Sequence, residues 1–453
     1  MVRPLIVAGF ALFVAFLPCC GGSRAPSDRP DVVLVVMDTT RADRCSVLGY
    51  GKPTTPNLER LAAEGALFTD AWSPSPWTGP AHASLFTGLR PENHGFLSGP
   101  RRDYLSEMPT LAGWFKAAGY RTACFSNSPF VSGEFGLDQG FEHFTREFLD
   151  PDRPYPYAAG THRAALAWVR ECRSRGENFF LFVNDIEPHS MYTPPEPFET
   201  SFMPPGIGIE QRRWGRTLPS LALVQHTLGA ATLGQEQIEV LSRLYDGEVA
   251  CLDREVGNLA EGLRESGLLD RSVFAVVADH GEQFGERGRL DHHGGLHQAL
   301  LHVPMVIRYP PAFPPGTVVD DVVRLEDVPP TLLDLCDLPE PDDLDGESLL
   351  AATGGRVARA VYHPFNALVA RLAASHPREV VTSGFTRRIQ SVYDGRWHYI
   401  LHEDGEEELY DLDADPSGSV DLSIEHREDI SRLSNWLPIP QDLPVRGGAE
   451  PAR

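Results

Sequence analysis

An α/β fold is what the sequence predicts: a large mixed, mostly parallel sheet flanked by helices, with a small C-terminal antiparallel subdomain. Three observations predict it. Apolar runs of five or six residues, rich in Val and Phe and bounded by polar residues, have the character of strands buried on both faces. Amphipathic helical segments fill the intervals between those runs, as in a layered α/β domain. Beyond about Pro310 the texture changes to Pro-rich turns and short alternating strands, which suits a second, antiparallel sheet. The length of 453 residues leaves room for both.

The elements follow in order. Arg3, the apolar run Leu5 to Leu17 and then Pro18-Cys19-Cys20-Gly21 read as an export signal over residues 1–20, too short to span a bilayer comfortably. It resembles a bacterial lipoprotein signal, in which Cys20 would become the lipidated first residue. The expected location is therefore the periplasm or cell envelope, with the membrane met through a lipid anchor only. Residues 21–30 form a polar tether, and 31–355 the large domain. Val32 to Met37 is a strand running into Asp38; Phe179 to Val183 leads to Asn184 and Asp185, and Val273 to Ala278 leads to Asp279. Ligands of open α/β sheets sit at the carboxyl ends of the strands, so three acids are expected to converge on one edge.

Among the helices, Thr55 caps a segment with Pro56 in first position, Leu58, Leu61 and Ala62 on one face, and Gly65 at its end. Thr161 to Arg173 and Gln235 to Glu265 share the period, the second with a break expected at Gly247 or Gly257. The Pro-rich stretch 192–233 carries no assignable pattern. A short helix is expected over Pro330 to Leu335. In the C-terminal subdomain, 356–437, the runs Val381 to Ser383, Arg388 to Val392 and Trp397 to Leu401 read as strands, with Asp394-Gly395 as a hairpin turn. Residues 438–453 read as a flexible tail.

Composition narrows the function. Lys and Arg number 40 against 63 Asp and Glu, a net charge of −23 that repels phosphate backbones, so no nucleic-acid partner is expected. Beyond the signal, Cys45, Cys124, Cys172, Cys251 and Cys336 are scattered singly; they predict buried apolar thiols rather than a disulfide framework.

Chemistry concentrates in two stretches. In Trp77-Thr78-Gly79-Pro80-Ala81-His82-Ala83-Ser84-Leu85-Phe86-Thr87-Gly88, Pro80 suits the first position of a helix. That puts the Thr78 hydroxyl just ahead of a positive helix end that favours phosphate or sulfate. A threonine hydroxyl is a poor nucleophile unless a base or a metal removes its proton. Asp279-His280-Gly281-Glu282 sets a carboxylate beside an imidazole at a strand end, a pairing suited to Zn²⁺ or Mn²⁺. Asp291, His292, His293 and His297 follow, and Asp185 and His189 lie four positions apart. Together these groups point to a divalent metal site of one or two ions, a pair lying about 3.5–4 Å apart.

Asp38-Thr39-Thr40-Arg41-Ala42-Asp43, Thr55-Pro56-Asn57-Leu58, Ala83-Ser84-Leu85-Phe86-Thr87-Gly88, Gly136 to Phe141, Asp279-His280-Gly281-Glu282, His302-Val303-Pro304 and Leu409 to Leu412 resemble successive signatures of the sulfatase family in the alkaline phosphatase superfamily, over about residues 31–425. The resemblance implies divalent metal at the sheet's carboxyl edge and cleavage of a sulfate or phosphate ester through a covalent intermediate. Where sulfatases carry Cys or Ser in Cys-x-Pro-Ser-Arg, matured to formylglycine, this chain reads Thr78-Gly79-Pro80-Ala81-His82, and threonine cannot form that aldehyde. It is in this respect similar to the threonine-nucleophile relatives, the phosphodiesterases and phosphoglycerol or phosphoethanolamine transferases.

By that resemblance Asp38, Thr78, Asp279 and His280 would hold one ion, and Asp185, His189 and either His292 or His293 a second. Zinc or manganese is expected, with calcium as the alternative. Thr78 would attack, and His82 would orient the transferred group or act as acid, on a small-molecule, glycan or lipid ester. Transfer to an envelope lipid or glycan, and a catalytically inactive binding homologue, are the competing readings.

Overall fold

The run from Asp31 to Met37 is a strand with all seven residues buried, which is why it carries no polar side chain after Asp31. In this computed structural model, which describes residues 28–99, 105, 108–145, 157–351 and 354–437, it forms the centre of an eight-stranded sheet. The export signal with Cys20, most of the tether and the tail from 438 lie outside the described residues. No described helix is long and apolar enough to cross a membrane.

The strands are β1 (Asp31–Met37), β2 (Ala66–Trp72), β3 (Arg121–Ser126), β4 (His143–Phe144), β5 (Phe179–Asp185) and β6 (Ser272–Val277). There follow a two-strand hairpin of β7 (Gln283–Phe284) and β8 (Leu290–Asp291), then β9 (His302–Arg308) and β10 (Thr317–Arg324). The large sheet runs β10-β2-β9-β6-β1-β5-β3-β4, with β9 alone antiparallel to its neighbours. The Pro-rich texture after Pro310 hid the parallel edge strand β10. A second, antiparallel sheet orders β11 (Ala358–Tyr362), β12 (Ile389–Tyr393), β13 (Trp397–His402) and β14 (Glu407–Asp411), with Asp394-Gly395 turning β12 into β13.

β1, β5 and β6 are neighbours, so their carboxyl ends meet as expected. Alternation divides their side chains between two cores. Val32, Leu34, Val36, Phe180 and Phe182 face one side with Leu85 and Phe86 of helix Thr78–Thr87. Val33, Val35, Met37, Leu181 and Val183 face the other, with Val169 of helix Tyr157–Ser174 and Val256 and Leu259 of helix Gln235–Glu265.

Three expectations need correction. Helix Gln235–Glu265 continues unbroken for 31 residues. A Cβ on Gly247 would lie 2.6 Å from the Phe198 carbonyl oxygen, so this glycine admits the close approach of helix Phe198–Ser201 rather than ending its own helix. The unassigned stretch 192–233 holds that helix and two more, Ile209–Thr217 and Ser220–Thr227. Val381 to Ser383 is no strand: Pro377 opens a helix to Thr382, burying Val380 and leaving Val381 exposed. Pro at the first helical position outweighs the β preference of two valines. The five cysteines are buried and unpaired.

Beside β10, Glu326 is buried with neither carboxylate oxygen hydrogen-bonded, and its nearest cation, Arg324, stands 4.0 Å away. Burial pushes its pKa up to about 7. The unfolded value is about 4.3, so the folded state holds the proton more tightly and loses stability as pH rises from about 4 to about 7. Glu326→Gln is expected to gain about 2 kcal/mol at pH 8 and little at pH 4.5. Denaturant melts at both pH values check this, and equal effects would refute it.

Candidate active site

Helix Thr78–Thr87 begins with Trp77 as its cap, making Thr78 its first residue and Pro80 its third; Pro80 was expected to be first. Proline fits because first-turn N–H groups have no acceptor within the helix. A Cβ on Gly79 would meet the Phe96 ring at 2.7 Å and the Trp77 ring at 2.8 Å, so glycine lets both aromatics close behind the threonine. The Thr78 hydroxyl lies at the positive helix end, almost wholly buried, 3.3 Å from His280 Nε2.

Asp38 and Asp279 reach that hydroxyl's neighbourhood through His280, whose Nε2 stands 3.9 Å from Asp38 Oδ1 and 3.5 Å from Asp279 Oδ2. All three are fully buried, and one ligand atom of each lies within 4.8 Å of the others. His280 Nδ1 lies 2.9 Å from the Gly281 carbonyl, which assigns the proton to Nδ1 and leaves the Nε2 lone pair toward Thr78. Asp279 Oδ1 accepts from the amides of Thr39 and His280, while both oxygens of Asp38 and Oδ2 of Asp279 have no hydrogen-bond partner among the described residues. Burial, then repulsion from Asp279, raises the Asp38 pKa well above the usual carboxylate range. Burial likewise raises Asp279 and lowers His280. Buried carboxylates facing each other without a cation are what a metal would satisfy.

Asp185 does not join this group. Met37 is level with Asp185 and Val36 with Asn184, so alternation sends Asn184 to the face of helix Thr78–Thr87 and Asp185 to the opposite face. There Asp185 Oδ2 lies 2.7 Å from His162 Nε2. Burial opposes the charge on that imidazole, but Asp185 outweighs it and raises the His162 pKa. The expected second ligand set is corrected accordingly: Asp291, His292 and His293 cluster instead, with the His189 ring 5.1 Å from that of His292. The His292 ring also lies 4.7 Å from that of His280, linking the two groups. Burial works against charge on His292, yet Asp291 and Glu282 together hold its pKa up at about 9; burial takes His293 down to about 4.

His82 is also misplaced by the sequence expectation. Lying one turn after Thr78, it tucks behind that residue: Nδ1 meets the Thr78 carbonyl at 2.9 Å, and Nε2 accepts from the Asn184 amide at 3.2 Å. Fully buried, with its pKa pushed down by that burial, it does not line the cavity on which Thr78 opens.

Sequence reasoning missed Asn184 and Tyr245; it named Asp291 among the metal-site groups without giving it an ion, and Glu282 in a motif without giving it a role. Counting parity along β5 from Phe182 would have favoured Asn184; nothing local marks Tyr245, which lies mid-helix. Its hydroxyl donates to the Thr39 carbonyl at 2.7 Å and accepts from the Arg41 amide at 2.9 Å. Thr39 has φ +52°, unfavourable for a β-branched residue, and its amide holds Asp279. Tyr245→Phe is expected to cost about 1–3 kcal/mol by leaving two buried backbone groups unpaired. Urea denaturation checks it, and a loss under 0.5 kcal/mol would remove the role.

A cavity of about 330 Å³ opens on Thr78, His189, Asp291, His292 and His293. A larger one of about 400 Å³, bordered by Asp70, Trp72 and Tyr393, holds none of these groups.

The sulfatase family model matches residues 30–338, and a model described as the N-sulphoglucosamine sulphohydrolase C-terminal region matches 285–432. An arylsulfatase of Clostridium perfringens is 23% identical, over 90% of this chain and 94% of its own. Arylsulfatase K of Xenopus laevis is 24% identical, over 93% and 84%. Among solved structures, the phosphonate monoester hydrolase of Agrobacterium radiobacter superposes with a TM-score of 0.71 at 22% identity, over 89% of this chain and 93% of its own. A protein bound to its substrate D-glucosamine-2-N,6-O-disulfate gives 0.68 at 20% identity, over 90% and 96%. These two likenesses are of fold.

Proposed function

This chain belongs to the sulfatase family, and from that premise we propose that it hydrolyses sulfate esters with Thr78 as nucleophile, beside a divalent cation held by Asp38, Asp279, His280 and Thr78 itself. The observation that supports the reading is a set of three buried carboxylate oxygens with no hydrogen-bond partner among the described residues, two of them 3.5 and 3.9 Å from His280 Nε2, which itself meets the Thr78 hydroxyl. Such an arrangement is costly unless a cation fills it. Asp291, His292 and His293 are a second set whose donors suit a cation.

A divalent ion at the first set would lower the pKa of the hydroxyl it touches and offset the charge on the ester oxygens. The chain's own residues do the rest. The unpaired first-turn N–H groups of helix Thr78–Thr87 face the non-bridging oxygens of the ester. Thr78 Oγ1 gives up its proton and forms a bond to sulfur as the bond to the alcohol oxygen breaks; the electron pair of that bond leaves with the alcohol oxygen, which ends protonated by the proton Thr78 lost. His189 lines the cavity and can carry that proton to the departing alcohol. Water then bonds to sulfur as the Oγ1–S bond breaks, sulfate leaves, and a proton of that water restores the Thr78 hydroxyl. His82 holds the Thr78 carbonyl, and Tyr245 with Thr39 holds Asp279.

The relatives named arylsulfatase favour sulfate, and the phosphonate monoester hydrolase shares the fold, so the test is a matched panel. Aryl sulfate, phosphate monoester, phosphate diester and phosphonate monoester are compared on one purified preparation of measured metal content. Turnover of aryl sulfate with at least one divalent ion per chain supports the reading. Turnover restricted to phosphorus esters would keep the site and replace the substrate class. On the residues of the signal alone, the enzyme is exported and tethered through Cys20; palmitate labelling tests that anchor.

A further inference from the structure

We infer that the cavity over Thr78 selects an ester whose alcohol half is a flat, apolar group carrying a second negative charge, read by Arg371. The inference rests on Thr78 marking the reacting end of the cavity.

The floor of the cavity is polar and its walls are not. Phe130 comes from the loop after β3, Leu221 and Val224 from helix Ser220–Thr227, and Phe365 and Leu368 from the segment leading into and along helix Asn366–Ser375. The two helices belong to different parts of the chain but pack together: Val224 and Leu372 share one apolar cluster, with Leu221 and Leu368 against it, and Gln225 bonds His376 at 3.1 Å. The wall is thus built in place. Apart from Ser220, whose hydroxyl is already bonded to Ser190, and Arg371, it offers no hydrogen-bonding side chain to the ring hydroxyls of a sugar, whose desolvation would go uncompensated there.

Arg371 is the one cation among the cavity's lining residues other than histidine. It stands one helical turn beyond Leu368, is exposed, and makes no ion pair with a described residue. Its planar guanidinium suits a carboxylate or a second sulfate at the far end of a ligand whose ester lies at Thr78. In a chain of net charge −23, a cation with no ion-pair partner among the described residues, beside a buried anion-handling site, is where a dianionic substrate gains affinity over a monoanionic one.

Affinity is best read in the Thr78→Ala protein, where turnover cannot interfere. Calorimetric titrations use phenyl sulfate, 3- and 4-carboxyphenyl sulfate, and N-acetylglucosamine 6-sulfate. The tighter carboxyphenyl ester is expected to bind about tenfold better than phenyl sulfate, and both better than the sugar ester. Adding Arg371→Ala brings the carboxyphenyl-to-phenyl ratio to near one, and Arg371→Lys restores part of it. Tightest binding of the sugar ester overturns the inference; so does a ratio that survives Arg371→Ala, or no binding of any ester at millimolar concentration. If wild-type protein turns over nothing while these affinities hold, the catalytic reading fails and the selectivity stands.

Discussion

Thr78→Ala is expected to lower turnover of the best ester in the panel by about 10⁴-fold or more, with the melting temperature little changed and the cation kept by the three remaining ligands, Asp38, Asp279 and His280. The size follows from what the hydroxyl alone does. Thr78 is the only hydroxyl that meets His280 Nε2 within hydrogen-bond distance among the described residues, and it stands where the helix end and the buried carboxylates meet. Alanine keeps the first helical position and the packing of Trp77 and Phe96 behind it, so the change removes the nucleophile without opening the core. Rapid-quench trapping of a labelled threonine ester in the wild type, absent from the variant, is the direct check. Activity within tenfold of wild type would end the assignment of Thr78.

Removing divalent ions is expected to abolish turnover and destabilise the protein, more at pH 8 than at pH 6. Asp38 and Asp279 are both carboxyls whose folded pKa is raised, by burial first and, for Asp38, by the other's charge. A raised carboxyl pKa means that the metal-free folded state loses stability as pH climbs above the unfolded value near 3.9. A bound cation reverses that cost, so the difference between loaded and chelated protein should widen with pH, reaching about 3 kcal/mol for one uncompensated buried charge. Asp38→Asn separates the two effects: it should melt higher than chelated wild type at pH 8 and no longer respond to added metal. Chelated wild type that melts and turns over like the untreated enzyme would remove the metal.

The legible parts of this site share a physical origin. Val32 to Met37 and Val273 to Ala278 announce themselves because strands buried on both faces must be continuously apolar, and the first polar residue after each, Asp38 or Asp279, must then lie at the sheet's edge. Thr78 was legible because proline in a first turn and glycine after the last delimit a helix locally. Asp185 was misplaced because its neighbours say that it ends a strand but not which face it takes. That depends on pairing with β1 over 140 residues away, which sets Asn184 rather than Asp185 toward His82.

Glycines in helix Gln235–Glu265 misled for a related reason. Propensity counts the conformational cost of Gly247 at about 1 kcal/mol, but the contact it permits with the Phe198 backbone belongs to another element. Local chemistry therefore determined the α/β class, the strand-end acids, the helix-tip threonine and the expectation of a metal. Long-range packing alone decided that Asp185 pairs with His162, that His82 lies behind Thr78, that His189 comes beside His292, and that two distant helices wall the cavity. Periodicity is a property of a segment, whereas which face meets which neighbour is fixed only when the sheet and its crossing helices assemble.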